Sequence, residues 1–282
     1  MTRGTVDLPT GPIEYRDSGG SGPTVLLVHG LMMNQQSLWN EVVDQMPEVR
    51  CVVPTLPLGA HSRPAGDAAD LSLQGIARLL RELVEAMDLT DVTLVGNDTG
   101  GAVAQFLVAD DHARIARLVL ISCEAFENFP PGLTGRTVVA AGRLSPTLFG
   151  LFMQQTRLGA VRRSPLAFGW LTKRGDVVVK GWREPLRDAS VRRDVVRMLR
   201  NIAKEGPALA IASEALAGFP KPALVVWAAD DRIMPMEHAH RLAATLPDAQ
   251  LEIVPDSYTL VPLDQPNHLA TTLRRFVGGV RP

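Results

Sequence analysis

Cysteine is nearly missing from this sequence: Cys51 and Cys123 are the only two. That excludes a disulfide framework, and because each stands in an apolar run, both read as small core residues. Tyrosine is equally scarce, with Tyr15 and Tyr258 alone, and aromatic residues make up only 5% of the chain. No apolar run reaches the ~18 residues that a membrane-spanning helix needs. The residues Met1 to Asp7 lack the basic-then-apolar order of a secretory leader, so the expectation is a cytoplasmic chain with no membrane insertion. A formal net charge of -1 offers no overall attraction for nucleic acid. That near-balance hides an uneven distribution. Between Arg143 and Lys204 there are 14 Lys and Arg against 4 Asp and Glu, leaving 15 against 26 for the remainder. Such a basic segment either attracts an acidic substrate or surface, or lays long Arg stems over apolar helix faces.

What is present is an ordinary globular balance, 46% hydrophobic and 21% charged, in 282 residues, enough for one α/β domain with an insertion. The turn Pro9-Thr10-Gly11-Pro12 separates two short strands, Thr5 to Leu8 and Ile13 to Arg16, expected at a sheet edge. Thr24 to Val28 and Val49 to Val53 are continuous apolar runs of the kind buried on both faces of a parallel sheet. Apolar positions from Leu73 to Met87 recur at three and four behind Asp70 or Ser72 as cap, which marks a helix. Strands are expected at Val92 to Val95, Leu118 to Ser122, Ala223 to Trp227 and Gln250 to Val254. Helices are expected near Pro235 to Thr245 and Asn267 to Val277. This alternation indicates an α/β fold with a mostly parallel central sheet and helices on both faces. It stops after Phe126 for roughly ninety residues of helical character, including Val191 to Ala203. We therefore expect a core formed by 1–125 and 218–282 and a helical lid formed by 126–217.

The stretch Val92 to Gln105 carries the chemistry. A strand stops at Gly96, a helix begins after Gly100 and Gly101, and Asp98 sits at the apex of the turn between them. Small residues two before and two after the apex are the spacing of a nucleophile elbow, which exposes the central side chain. Two interpretations stand: a reactive carboxylate, favoured at a helix N-terminus by free amides and the helix dipole, or a Gly-rich turn with Asp as an N-cap. In a parallel sheet, reactive groups gather at the C-terminal strand ends. His29-Gly30-Leu31 follows the Thr24 to Val28 strand, where the Leu31 amide can join the Thr99 amide in an oxyanion hole. Glu124 follows Leu118 to Ser122, and Asp230-Asp231 follows Ala223 to Trp227.

Four stretches in this order, His29-Gly30, Gly96 to Gly101, Trp227 to Pro235 and Pro262-Leu263-Asp264-Gln265-Pro266, resemble the α/β-hydrolase superfamily across nearly the whole chain. Asp at the elbow is similar to the branch containing haloalkane dehalogenases and epoxide hydrolases, in which that carboxylate attacks a carbon to form an ester. The resemblance implies Asp98 as nucleophile, Asp231 at the acid position of the triad, and Glu124 at the alternative acid position of some haloalkane dehalogenases. Asp230 is then a solvated neighbour.

Departures from that pattern are as informative. The family places its base, a His, seven residues before the proline that corresponds to Pro266, and Thr259 stands there. Thr cannot accept a proton from water at neutral pH, whereas His can. His29 and His61 are the only other histidines on loops expected near the site. His29 reads either as a displaced base or as an oxyanion-loop residue held by hydrogen bonds. Lid tyrosines that open epoxides are missing, and the usual halide donors are replaced by Thr99 and Leu31. Phe149, Phe152, Met153, Phe168, Trp170 and Trp182 either wall an apolar pocket or pack the lid. His238 and His240, two apart on a helix, do not form a metal pair, and the elbow lacks the Lys of a phosphate loop; no metal or other cofactor is expected.

Three functions follow. The first is a hydrolase of a small apolar or carboxylated molecule with Asp98 as nucleophile, Asp231 or Glu124 in support, and an incomplete triad. The second is a lyase, isomerase or cyclase using Asp98 as general acid or base. The third is a silent binding protein.

Overall fold

In a computed structural model that describes residues 1–279, eight strands form one sheet in the order β1-β2-β4-β3-β5-β6-β7-β8. They are β1 (Thr2–Leu8), β2 (Gly11–Asp17), β3 (Thr24–Val28), β4 (Arg50–Pro54), β5 (Val92–Asn97), β6 (Ile115–Ile121), β7 (Ala223–Ala228) and β8 (Ala249–Val254). β1 pairs with β2 and β2 with β4 antiparallel; every other pairing is parallel. Continuous apolar runs account for the centre: β5 and β7 are buried along their whole length, and β3 at all but its first residue. β1 alternates exposed and half-buried positions, as an edge strand does.

The expected helices form at α2 (Leu73–Ala86), capped by Ser72, whose side chain accepts from the Gly75 amide at 3.0 Å, and at α3 (Thr99–Asp110), α10 (Met236–Thr245) and, after the short α11 (Val261–Asp264), α12 (Pro266–Val277). An additional helix, α1 (Gln35–Asp44), was not expected. Its start, Asn34-Gln35-Gln36-Ser37, is polar like a loop, yet Asn34 and Ser37 cap each other reciprocally. Leu38, Trp39, Val42 and Val43 then bury one face.

Between β6 and β7 the chain forms α4 (Gly132–Ala141), α5 (Pro146–Gln154), α6 (Gly159–Arg162), α7 (Gly175–Arg183), α8 (Ala189–Ile202) and α9 (Gly206–Ala215). Hydrogen bonds tie these helices and their connections to the sheet-bearing part. The Asn34 side chain donates to the Gly181 carbonyl at 3.0 Å, the Leu260 amide to the Leu171 carbonyl at 2.9 Å, and the Ala65 amide to Asp194 at 2.8 Å. The basic surplus here serves local structure in large part. Arg192, Arg197 and Arg200 donate to the carbonyls of Leu186 and Arg187, of Asp67 and Ala69, and of Gly142 and Leu144 respectively. Cys51 and Cys123 are both free and fully buried, as their apolar settings indicated.

Candidate active site

Asp98 links β5 to α3 with φ 55 and ψ -133, a conformation that costs about 1–3 kcal/mol in a residue with a side chain. Close backbone packing enforces it. A Cβ at Gly96 would lie 2.4 Å from the Gly100 carbonyl oxygen, and one at Gly100 would lie 2.5 Å from that of Val28. Asp98 is the N-cap residue of α3 by position, but its side chain makes no capping hydrogen bond.

The carboxylate instead turns toward the loop after β3. Its Oδ2 accepts from the Leu31 amide at 3.0 Å, and a Cβ at Gly30 would lie only 2.2 Å from that same oxygen. The Thr99 hydroxyl lies 3.5 Å from Asp98 Oδ2 and donates to Glu124 Oε1 at 2.9 Å. Two carboxyl groups thus flank one hydroxyl. Asp98 is 5% exposed and Glu124 2%, and Glu124 Oε2 is buried with no hydrogen-bond partner.

That burial governs the protons. It pushes the Asp98 carboxyl up to about 6, against the pull of the Thr99 and Leu31 amides, and the Asp231 charge adds to the rise. Burial, and then the Asp98 charge, push Glu124 well above the ordinary carboxyl range. Like charges this close in a poorly solvated site favour a shared proton.

Asp231 holds a different station. Its Oδ1 accepts from the Ile233 and Met234 amides at 2.9 and 2.8 Å and from the Thr259 hydroxyl at 2.8 Å. Thr259, where the resemblance leads one to expect a His, is thus hydrogen-bonded to Asp231. It is fully buried, and the Asn97 side chain donates to its carbonyl at 2.9 Å.

Neither candidate imidazole reaches Asp98. His29 Nε2 accepts from the Leu56 amide at 2.9 Å, so the Nδ1 that lies 2.9 Å from the Gly30 carbonyl must carry the proton. Burial holds this ring neutral, with its pKa pushed down to about 4. The oxyanion-loop interpretation of His29 is the one the geometry fits. His61 lines a separate cavity bounded by Thr10, Glu14 and Glu82.

The cavity above Asp98 is walled by Leu31, Met32, Val138, Phe168, Ile202 and Ile233 among others, with Asp98, Thr99 and Glu124 on its polar side. Its remaining polar neighbour, Thr134, has its hydroxyl bound to the Pro165 carbonyl at 2.5 Å. About 40 Å³ is open to the centres of water molecules, room for a few waters at ~10–15 Å³ each. Of the six aromatic and Met residues considered for this wall, Phe168 alone borders the cavity. Phe149, Met153 and Trp182 are buried in the main core, with Phe152 and Trp170 packed against it.

Sequence reasoning missed the support beneath Glu124. The Gln105 side chain donates to the Glu124 carbonyl at 2.7 Å and accepts at 2.7 Å from the Ser213 hydroxyl of α9. Nothing local marks Ser213 as a partner of Gln105, since 108 positions separate them.

A strained strand-to-helix apex, an amide from the loop after β3 and an acidic residue after β7 define the nucleophile-elbow class of α/β proteins. The sequence profile of the alpha/beta hydrolase family matches residues 25–270, and the chain belongs to that family. It is 27% identical over 272 residues to haloalkane dehalogenase 2 of Mycobacterium tuberculosis, covering 95% of this chain and 92% of the relative. An uncharacterized hydrolase of Bacillus subtilis is 24% identical over 221 residues, covering 72% and 71%. Among solved structures, a thermophilic esterase from Thermogutta terrifontis superposes with a TM-score of 0.75 at 22% identity, with 100% of both chains covered. That likeness speaks to the fold alone.

Proposed function

We propose that this member of the alpha/beta hydrolase family is an enzyme that moves protons on a small, largely apolar molecule, with Asp98 as base and Glu124 as acid. The observation that carries this reading is the carboxyl pair on either side of the Thr99 hydroxyl, in an apolar cavity that no histidine borders among the described residues. Ionised Asp98, with Oδ2 steadied by the Leu31 amide, takes a proton from a carbon beside a carbonyl or leaving group. Neutral Glu124 gives its proton to the oxygen that gains charge. After an elimination the pair is restored when the proton on Asp98 passes through the Thr99 hydroxyl to Glu124; after an isomerisation, Asp98 returns its proton to a different carbon and Glu124 takes back the one on oxygen. In this reading, residues 126–217 act as a lid that keeps water from the site, and the hydrogen-bonded pair of Asp231 and Thr259 holds the fold without contact to substrate.

A covalent hydrolase is the second reading. The Leu31 amide on Asp98 Oδ2, and the identity to a haloalkane dehalogenase, favour attack by the carboxylate on carbon. Removing the family's base slows release of such an ester by ~100-fold to 10,000-fold. The test is to incubate the protein in D₂O with a panel of apolar ketones, β-hydroxy ketones, epoxides, haloalkanes and esters. Deuterium at the carbon beside the carbonyl, or elimination, lost in Asp98→Asn, supports proton transfer. An adduct on Asp98 by intact mass, or hydrolysis without exchange, supports the covalent route and overturns the first.

A further inference from the structure

Among the described residues, eight large apolar side chains are exposed, and five of them, Leu133, Leu148, Leu151, Leu158 and Leu166, fall between residues 128 and 175. Over those same residues the chain has seven Lys and Arg and no Asp or Glu. The acids at either boundary are already engaged, Glu127 with Arg241 at 3.0 Å and Asp176 with Lys180 at 3.5 Å. Arg157 and Arg162 bond to a Gln side chain and a backbone carbonyl, and Arg136, Arg143 and Arg163 pair with no acid among the described residues. Single exposed leucines are ordinary on a protein surface. A group of them set among uncompensated cations is not.

Local structure gathers these side chains. On α5, Leu148 and Leu151 stand three apart and point away from the buried Phe149 and Met153, while α6 buries no residue. Arg157 donates to the Gln154 side chain at 2.9 Å and Arg162 to the Arg157 carbonyl at 3.2 Å, which holds the end of α5, Leu158 and α6 in one surface. The chain then folds back. The Phe168 amide donates to the Arg162 carbonyl at 3.1 Å, and the Thr134 hydroxyl on the Pro165 carbonyl brings Leu133 to Leu166. Leucine gains by leaving water and arginine by meeting an anion, and the headgroup boundary of an anionic bilayer offers both at one depth. A second copy of the same face would set Arg against Arg, and a soluble polyanion would leave the leucines in water. We infer that this face docks on an anionic lipid bilayer, with Leu151 and Leu158 seated at the acyl boundary and Arg157, Arg162 and Arg163 on the lipid headgroups.

The test floats the full chain with vesicles of equal parts phosphatidylserine and phosphatidylcholine at low ionic strength. Binding is expected there, and weaker binding to phosphatidylcholine alone or in high salt. Leu151→Ser with Leu158→Ser should weaken it about tenfold, and Arg157→Gln with Arg163→Gln about ten- to thirtyfold. All four side chains are exposed, so circular dichroism should show the fold unchanged. Ile211→Ser, exposed but on α9, should bind as wild type. No flotation with the mixed vesicles, full binding by either double variant, or loss of binding in Ile211→Ser would each overturn the assignment. Tighter binding of soluble polyglutamate than of vesicles at matched charge would overturn it in favour of an acidic protein partner.

Discussion

A buried carboxyl with a raised pKa destabilises the fold that holds it, and Asp98 makes this measurable. In the unfolded chain it loses its proton near 3.8, in the folded chain near about 6. As the pH rises from about 4 to about 6 the unfolded state releases its proton first, so this residue's contribution to stability falls over that window and stays low above it. Asp98→Asn should therefore be more stable than wild type at neutral pH by about 2–3 kcal/mol, with the difference fading below about pH 4. Urea denaturation at both pH values checks this, and a variant less stable at neutral pH would contradict the burial argument. Activity should need Asp98 ionised and Glu124 neutral. The rate profile then rises through about pH 6 and falls again at higher pH, and Glu124→Gln should remove the falling limb. Thr259 answers to stability alone in this scheme. Thr259→Val removes one of the three donors to Asp231 Oδ1 and should cost about 1–3 kcal/mol by denaturant titration while leaving kcat within a few-fold of wild type.

At the scale of elements, α8 joins the anchor of the helical insertion to the wall of the cavity. Asp194, which accepts from the Ala65 amide, and Ile202, which borders the space above Asp98, lie eight residues apart, about 12 Å along the helix. Asp194→Ala orphans that amide and removes the one carboxylate partner of Arg197, which keeps the Asp67 and Ala69 carbonyls, and should cost about 1–3 kcal/mol. Limited proteolysis should then cut the 126–217 segment sooner than in wild type. The walls can be tested by filling them. Val139→Trp places an indole where about 40 Å³ is open, and should lower kcat/KM at least about a hundredfold while thermal unfolding remains a single transition. Unchanged kinetics would place the reaction elsewhere.

For the whole molecule, the proposed lid of residues 126–217 predicts that large substrates enter by separation of the insertion from the sheet-bearing part. A Cβ at Gly181 of α7 would lie 2.6 Å from the Ser37 Cβ of α1, close enough for a small shift to seat a disulfide between Ser37→Cys and Gly181→Cys. The oxidised double variant should lose turnover of large substrates and regain it on reduction, because Cys51 and Cys123 are buried and do not compete for the bridge. Equal turnover in both states would mean that entry takes another route.

The alternation of strands and helices around the central sheet and the apex at Asp98 could be read from the chain, because alternation, apolar periodicity and turn chemistry are local. The start of α1 escaped that reading because a reciprocal Asn34–Ser37 cap resembles a polar loop. Which cavity the reactive groups face, the pairing of Asp98 with Glu124 through Thr99, the support of Glu124 by Gln105 and Ser213, and the confinement of His29 between two backbone groups were decided only in three dimensions. These contacts join residues up to 108 positions apart, and the raised carboxyl pKa values come from burial that no single segment creates alone. The sequence by itself determined which side chain stands at the bend. Tertiary packing determined how little water reaches it, and so whether it carries a proton.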